Sequence, residues 1–268
     1  MIEAPSKCSL DGEASHNINI LRKKGVPIIM KSRQKIKKQA RDLLAKDNLW
    51  FAVGLPTLVL NLVSLMFAFN ESASGVSSAI SGLTLIVDLC ASLYIFDILT
   101  KQQRIGKQLG SRISDMFGSL TVQTFKMGLL VGFMIGLWLF VPYIIGIALI
   151  VVAIISKSAG LMLLLGIALA VFGLVFGLVK TYDYALAVYL AKTNEESGLF
   201  ELLKESKQKM KGHRWTLFVQ NLSFFWWFLG VFATGGLLSL YVTPYVVTST
   251  AIFATEVLGI NTSNVKEK

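Results

Sequence analysis

From Met127 to Ile155 the chain runs through 29 consecutive residues without one charged side chain. About 20 apolar residues carry a helix across the ~30 Å hydrocarbon core of a bilayer, and a run that is apolar on every side cannot be the single buried face of a soluble helix. A segment this long must tilt, project beyond the bilayer or break, and Val141-Pro142 is where a break would fall. Its first half carries Gly128, Gly132 and Gly136, small residues at intervals of four that predict the close approach of another helix. Lipid therefore has to be part of the solvent in which this chain folds.

Other apolar runs flank it, at about 49–69, 76–99, 161–190, 215–238 and 240–258. Together they predict an all-α, polytopic transmembrane helix bundle of about six spans. Residues 30–258 read as one membrane domain, between a polar segment 1–29 and a polar tail 259–268. The composition agrees, with 54% hydrophobic and 16% charged residues, more apolar surface than one soluble core accommodates. Pro56 should kink the first span, and Gly166, Ala170, Gly173 and Gly177 give the fourth a broad small-residue side. Around Pro244 two arrangements remain open: one long kinked segment and five crossings, or two short spans and six.

The net charge of +10 would suit nucleic acid, but the basic residues stand in blocks between apolar runs and no nucleic-acid-binding motif accompanies them. Membrane topology explains them better. With six spans, 25 of the 26 Lys and Arg fall on one side and only Lys157 on the other, which predicts a cell-membrane protein with both termini in the cytoplasm. Three basic segments, KSRQKIKKQARDLLAKDN from Lys31, KQQRIGKQLGSRISDMFGSLTVQ from Lys101 and Ser197 to Met210, show apolar residues at helical spacing. They predict amphipathic surface helices on the inner leaflet, with anionic lipids as partners. The glycine faces predict a helix–helix partner or a homo-oligomer. The first 29 residues lack the apolar stretch of a signal peptide and read as a disordered tail. Alternatively Met30 is the true start, since Lys24-Gly25-Val26 can be encoded by a ribosome-binding sequence at a suitable distance.

One polar constellation lies within the spans. Folding the first two runs into a hairpin about Asn70 to Gly75 brings Asp88 to the depth of Pro56 and Thr57, and Thr84 to that of Asn61. Thr57 and Asn61 share one helix face, as do Thr84 and Asp88. A midplane acid is expensive in lipid and faces protein or water. Two roles fit it: an ion or proton pathway, or a hydrogen bond that holds the hairpin together. Asp97 lies nine residues on, on the opposite face. Nothing else resembles a reactive site. No HExxH, CxxC, GxSxG or P-loop pattern occurs, the two histidines lie in polar segments, and Cys8 and Cys90 indicate neither a disulfide framework nor a metal site. The expectation is no enzymatic activity, no catalytic residue, no metal and no cofactor.

The stretch SKQKMKGHRWTLFVQNLSFFWWFLGVFATGGLLSLYVTPY, Ser206 to Tyr245, turns within a few residues from basic and polar to apolar and aromatic, as a chain does on entering a membrane. Its Ser206, Met210 and Gly212 form SxxxMxG; Phe218, Leu222-Ser223-Phe224 and Trp227 form FxxxLSFxxW; Thr234-Gly235, Pro244-Tyr245, Thr250, Ala251 and Phe253 follow. In these residues the chain resembles a family of uncharacterised bacterial integral membrane proteins, common in Gram-positive species and classed as a domain of unknown function. The basic segment from Lys31 to Trp50 is similar to that family's beginning, and Ala254 stands where members often have an aromatic. The resemblance implies a multi-pass fold, with a loose relation to membrane domains attached to some glycerophosphodiester phosphodiesterases, and no established activity. It singles out Ser206, Met210, Gly212, Trp227, Pro244 and Tyr245 as a candidate interfacial motif. Two functions follow as expectations: lipid or partner binding in envelope homeostasis, or a small transporter or permease component using Asp88.

Overall fold

The computed structural model describes residues 28–45, 49–68, 74–101, 108–156 and 160–260, in helices joined by short links. The segment 1–27, with Cys8 and the bases of the Met30 reading, lies outside the described residues, as do Lys157 and the tail from 261. The helices are α1 (Ile28–Ala45), α2 (Leu49–Ala68), α3 (Ser74–Lys101), α4 (Leu109–Gly118), α5 (Val122–Ile155), α6 (Leu161–Asp183), α7 (Ala187–Thr193), α8 (Leu199–Lys209), α9 (Arg214–Leu222), α10 (Phe225–Ala233) and α11 (Ser239–Leu258). Among the described residues, five stretches are long and apolar enough to cross a membrane: Leu49–Phe67, Gly75–Thr100, Val122–Ile155, Leu161–Thr193 and Arg214–Ala233. The sixth expected span forms α11, which is not among them. Its Ser, Thr, Tyr, Pro and Glu residues dilute the apolar content, and Thr248, Ser249 and Ala251 to Thr255 are buried in protein.

The molecule has two unlike parts. At one end α1, α4, α7 and α8 pack around the last turns of α3, the start of α5 and the second half of α11. There Ile36, Leu44, Ile95, Phe96, Met116, Met127, Leu202 and Ala251 are almost wholly buried. The expected surface helices take a different partner here. The apolar stripe of α1 (Ile36, Ala40, Leu43, Leu44) is buried in this core, where α11 packs on α1, and Leu202, Leu203 and Met210 of the third basic segment are buried in the same core. A stripe of apolar residues requires an apolar neighbour, and protein has taken the place expected for lipid. In α4, Leu109 and Phe117 stay exposed, as does Phe200 of α8.

The other part is an apolar layer. Helices α5 and α6 form a long antiparallel hairpin whose main contacts beyond each other are with α7, α8 and α9 at its base. Proline does not break α5, which continues through Pro142 for 34 residues. The hairpin closes at glycines: a Cβ on Gly146 would meet the backbone of Gly166 and Ala170, one on Gly173 the ring of Pro142, and one on Gly177 the side chain of Leu139. The small-residue side of α6 thus has its expected role. Of the three glycines expected to admit a helix in the first half of α5, Gly128 meets Leu89 of α3, whereas among the described residues Gly132 has nothing within 4 Å and Gly136 only Phe140 of its own helix.

Helices α9, α10 and α11 make the last apolar excursion. The turn between α10 and α11 satisfies its own backbone. Gly235, with φ +59°, ends α10 through bonds from Gly235 N to Phe232 O and Gly236 N to Val231 O, and the Thr234 hydroxyl accepts from Leu238 N. A left-handed glycine closes a helix this way without Cβ strain. With its amides paired, such a turn can lie below a membrane surface. An added Cβ would place Gly236 near Asn61 and Gly235 near Leu65, so the turn sits toward the far end of α2.

Candidate functional site

Of the four expected midplane residues, the structure joins two. The buried Thr57 hydroxyl donates to Asp88 Oδ1 at 3.0 Å across the α2–α3 seam. Thr84 turns back to the Ile80 carbonyl of its own helix at 3.0 Å. Asn61 faces the hairpin turn at Gly236. A second bond on the same seam, Ser64 Oγ to Ser77 Oγ at 3.3 Å, escaped the sequence reading, although the hairpin register that brought Thr57 to Asp88 also brings these serines to similar depth. Both are small interhelical bonds, worth about 0.6 and at most about 1.7 kcal/mol each in a membrane protein. They fasten the hairpin.

Charge is buried at the junction of the two parts. Asp97 of α3 pairs with Lys192 of α7 at 3.3 Å, both nearly inaccessible. The same ammonium donates to the Ser119 carbonyl at 2.5 Å, and the Ser119 hydroxyl donates to the Cys90 carbonyl at 3.1 Å. The Ser92 and Tyr189 hydroxyls meet at 2.5 Å one turn away. Asp183, at the end of α6, takes Arg214 at 2.5 Å and Lys180 at 4.0 Å. Lys180 also lies over the rings of Phe176 and Trp138, at 5.1 and 5.2 Å. Lys180 and Asp183 are three apart on one helix, and Arg214 is the closer partner of Asp183. Lys192 was invisible to sequence reasoning because nothing local marks it as the partner of a residue 95 positions earlier.

The residues of the interfacial motif lie in and between the helices from α8 to α11. Ser206 is fully buried and donates to the Asp183 carbonyl at 2.8 Å. Met210 is buried in the core, and Gly212, at φ +87°, turns the chain into α9. Phe224 is buried against Tyr245 at 5.1 Å, Trp227 lies 5.7 Å from Tyr241, and Trp50 stacks on Tyr241 at 4.4 Å. Pro244 packs where Gly54 leaves room. Lys37 of α1 lies 4.6 Å above the Phe224 ring. Burial, and then the neighbouring Arg33 and Arg41, hold its ammonium below the usual lysine range. Ser206 ties α8 to the end of α6, Gly212 turns the chain into α9, and Trp227 and Tyr245 pack on the aromatic rings of α9 to α11. Among the described residues, no three His, Cys, Asp or Glu side chains gather as metal ligands.

No curated protein and no solved structure matches the chain. A family model described as a protein of unknown function, DUF975, matches residues 30–261. That match takes in every described helix from the third residue of α1 to the end of α11, with the motif that shapes the last three, and the chain belongs to the DUF975 family.

Proposed function

We propose that this is a non-enzymatic integral membrane protein that binds anionic lipid, or a membrane partner, on its basic helical end, and that it serves envelope homeostasis. The basic end and both termini face the cytoplasm in this reading. A helix partner or a second copy would meet the open Gly132 side of α5. The observation that carries it is the division of α1 and α8. Their apolar stripes are turned into the core, while Lys35, Lys38, Arg41, Lys204 and Lys207 are exposed at the end where the apolar helices enter. Each such cation is worth about 1 kcal/mol beside an anionic bilayer surface. The test is reconstitution in mixed phosphatidylglycerol and phosphatidylcholine nanodiscs. Replacing Lys35, Lys38, Lys204 and Lys207 by Gln should remove the enrichment of phosphatidylglycerol around the protein; unchanged enrichment sinks the reading.

A second reading, a small transporter or permease component, draws on the Thr57–Asp88 bond within two apolar stretches. It requires substrate- or proton-driven flux in proteoliposomes that Asp88→Asn abolishes. Infrared difference spectra of the Asp88 carboxyl separate the two: titration near neutral pH requires water at the midplane, and a carboxyl protonated throughout leaves Asp88 as a structural tie.

A further inference from the structure

Outside the seam and the ion pairs lies a cavity of about 490 Å³, where the start of α5 meets the link from α7 to α8. Its volume falls in the range of small-molecule sites. Gln123 ties the walls together, its Nε2 donating to the Asn194 carbonyl at 3.1 Å and to the Ser197 carbonyl at 3.1 Å. The lining carries charges of both signs, Lys126 on one wall and Glu195 and Glu196 on the other, with Val122 and Leu199 as its apolar part. Among the described residues Lys126 forms no ion pair with either glutamate. The uncharged run of α5 begins at the next residue, Met127. Of the lining, Val122 is 71% accessible. The cavity therefore opens where headgroups meet hydrocarbon.

One cation and two carboxylates make a poor site for a simple anion, and the lysine makes it a poor site for a simple cation. Separated opposite charges fit a zwitterion. Between the common zwitterionic headgroups, a primary ammonium donates hydrogen bonds to carboxylates, whereas a quaternary ammonium is recognised by an aromatic cage that this lining lacks. We propose that the cavity binds the headgroup of a phosphoethanolamine lipid, with phosphate at Lys126, ammonium at Glu195 and Glu196, and acyl chains directed toward the uncharged run of α5 that begins at Met127. The proposal rests on the lipid-binding reading above and gives that reading a specific site.

The experiment is native mass spectrometry of the full chain released from nanodiscs of equal phosphatidylethanolamine, phosphatidylcholine and phosphatidylglycerol. The unaltered protein should retain phosphatidylethanolamine about tenfold over phosphatidylcholine, the difference of one charge-assisted contact. Glu195→Lys/Glu196→Lys should transfer that preference to phosphatidylglycerol, and Lys126→Glu should abolish it, each with an unchanged size-exclusion profile. Substituting the four surface lysines of α1 and α8 should leave it intact, so failure of the general lipid reading and failure of this site are separable. Equal retention of the three lipids by the unaltered protein, or an unchanged preference after charge reversal, overturns the proposal. Soluble O-phosphoethanolamine should not displace the lipid; its binding without retention of the lipid overturns the lipid source.

Discussion

Gly54 of α2 lies directly against the carbonyl of Leu240 in α11, and a Cβ there would also come within 2.9 Å of the Pro244 ring. Pro244, four residues after Leu240, has no N–H to give that carbonyl, so its usual helical donor is missing. The two helices cross with backbones in contact at the one place where the first lacks a side chain and the second lacks a helix bond.

Gly54→Leu should therefore force α2 from α11 and lower stability by about 1–3 kcal/mol, the usual range for overpacking. Gly82, with nothing within 4 Å, is the control: Gly82→Leu should unfold with the parent. Thermal unfolding in detergent, followed by tryptophan fluorescence, reads both.

The buried pair Asp97–Lys192 predicts asymmetry. Lys192→Met removes the ammonium 3.3 Å from the buried Asp97 carboxylate, and breaking such a pair costs about 3–5 kcal/mol. Asp97→Leu/Lys192→Met together should recover most of it. Denaturant titration of the single and double variants checks the cycle, and additive losses would show that the pair is not coupled.

Gln220 is 1% exposed, and neither amide atom has a hydrogen-bond partner among the described residues. An unpaired buried amide costs about 1–3 kcal/mol. Gln220→Met, similar in shape and apolar, should raise the melting temperature; a fall would mean that an ordered water or lipid group satisfies the amide.

At the α2–α3 seam, Asp88→Asn keeps an acceptor for the Thr57 hydroxyl and should leave stability unchanged. Asp88→Leu should lose about 0.6 kcal/mol and at most about 1.7. A loss several times larger would show that more than one hydrogen bond depends on this carboxyl.

What was legible in the sequence follows from what each signal encodes. Hydropathy encodes the solvent, so the long uncharged runs marked the membrane stretches, and the small residues of α6 marked a close helix contact that Gly166, Gly173 and Gly177 make. Hairpin register encodes depth, and it brought Thr57 to Asp88. Periodicity, in contrast, says that a stripe is apolar without saying what covers it. Ile36, Ala40, Leu43 and Leu44 read as lipid-facing and lie in a protein core. The same limit applies to Gly132, whose spacing suggests a neighbour where none of the described residues stands within 4 Å. Pairings between distant segments, Lys192 with Asp97 and Trp50 with Tyr241, have no local trace at all.

The packing of α1 on α11 sets an order of events in biosynthesis. The helix translated early receives its cover from the helix translated last of those described, more than 190 residues later by the numbering. Throughout the intervening elongation the stripe of Ile36, Ala40, Leu43 and Leu44 lacks the helix that packs most extensively on it. The core at this end therefore closes only when the last of the described helices has been made.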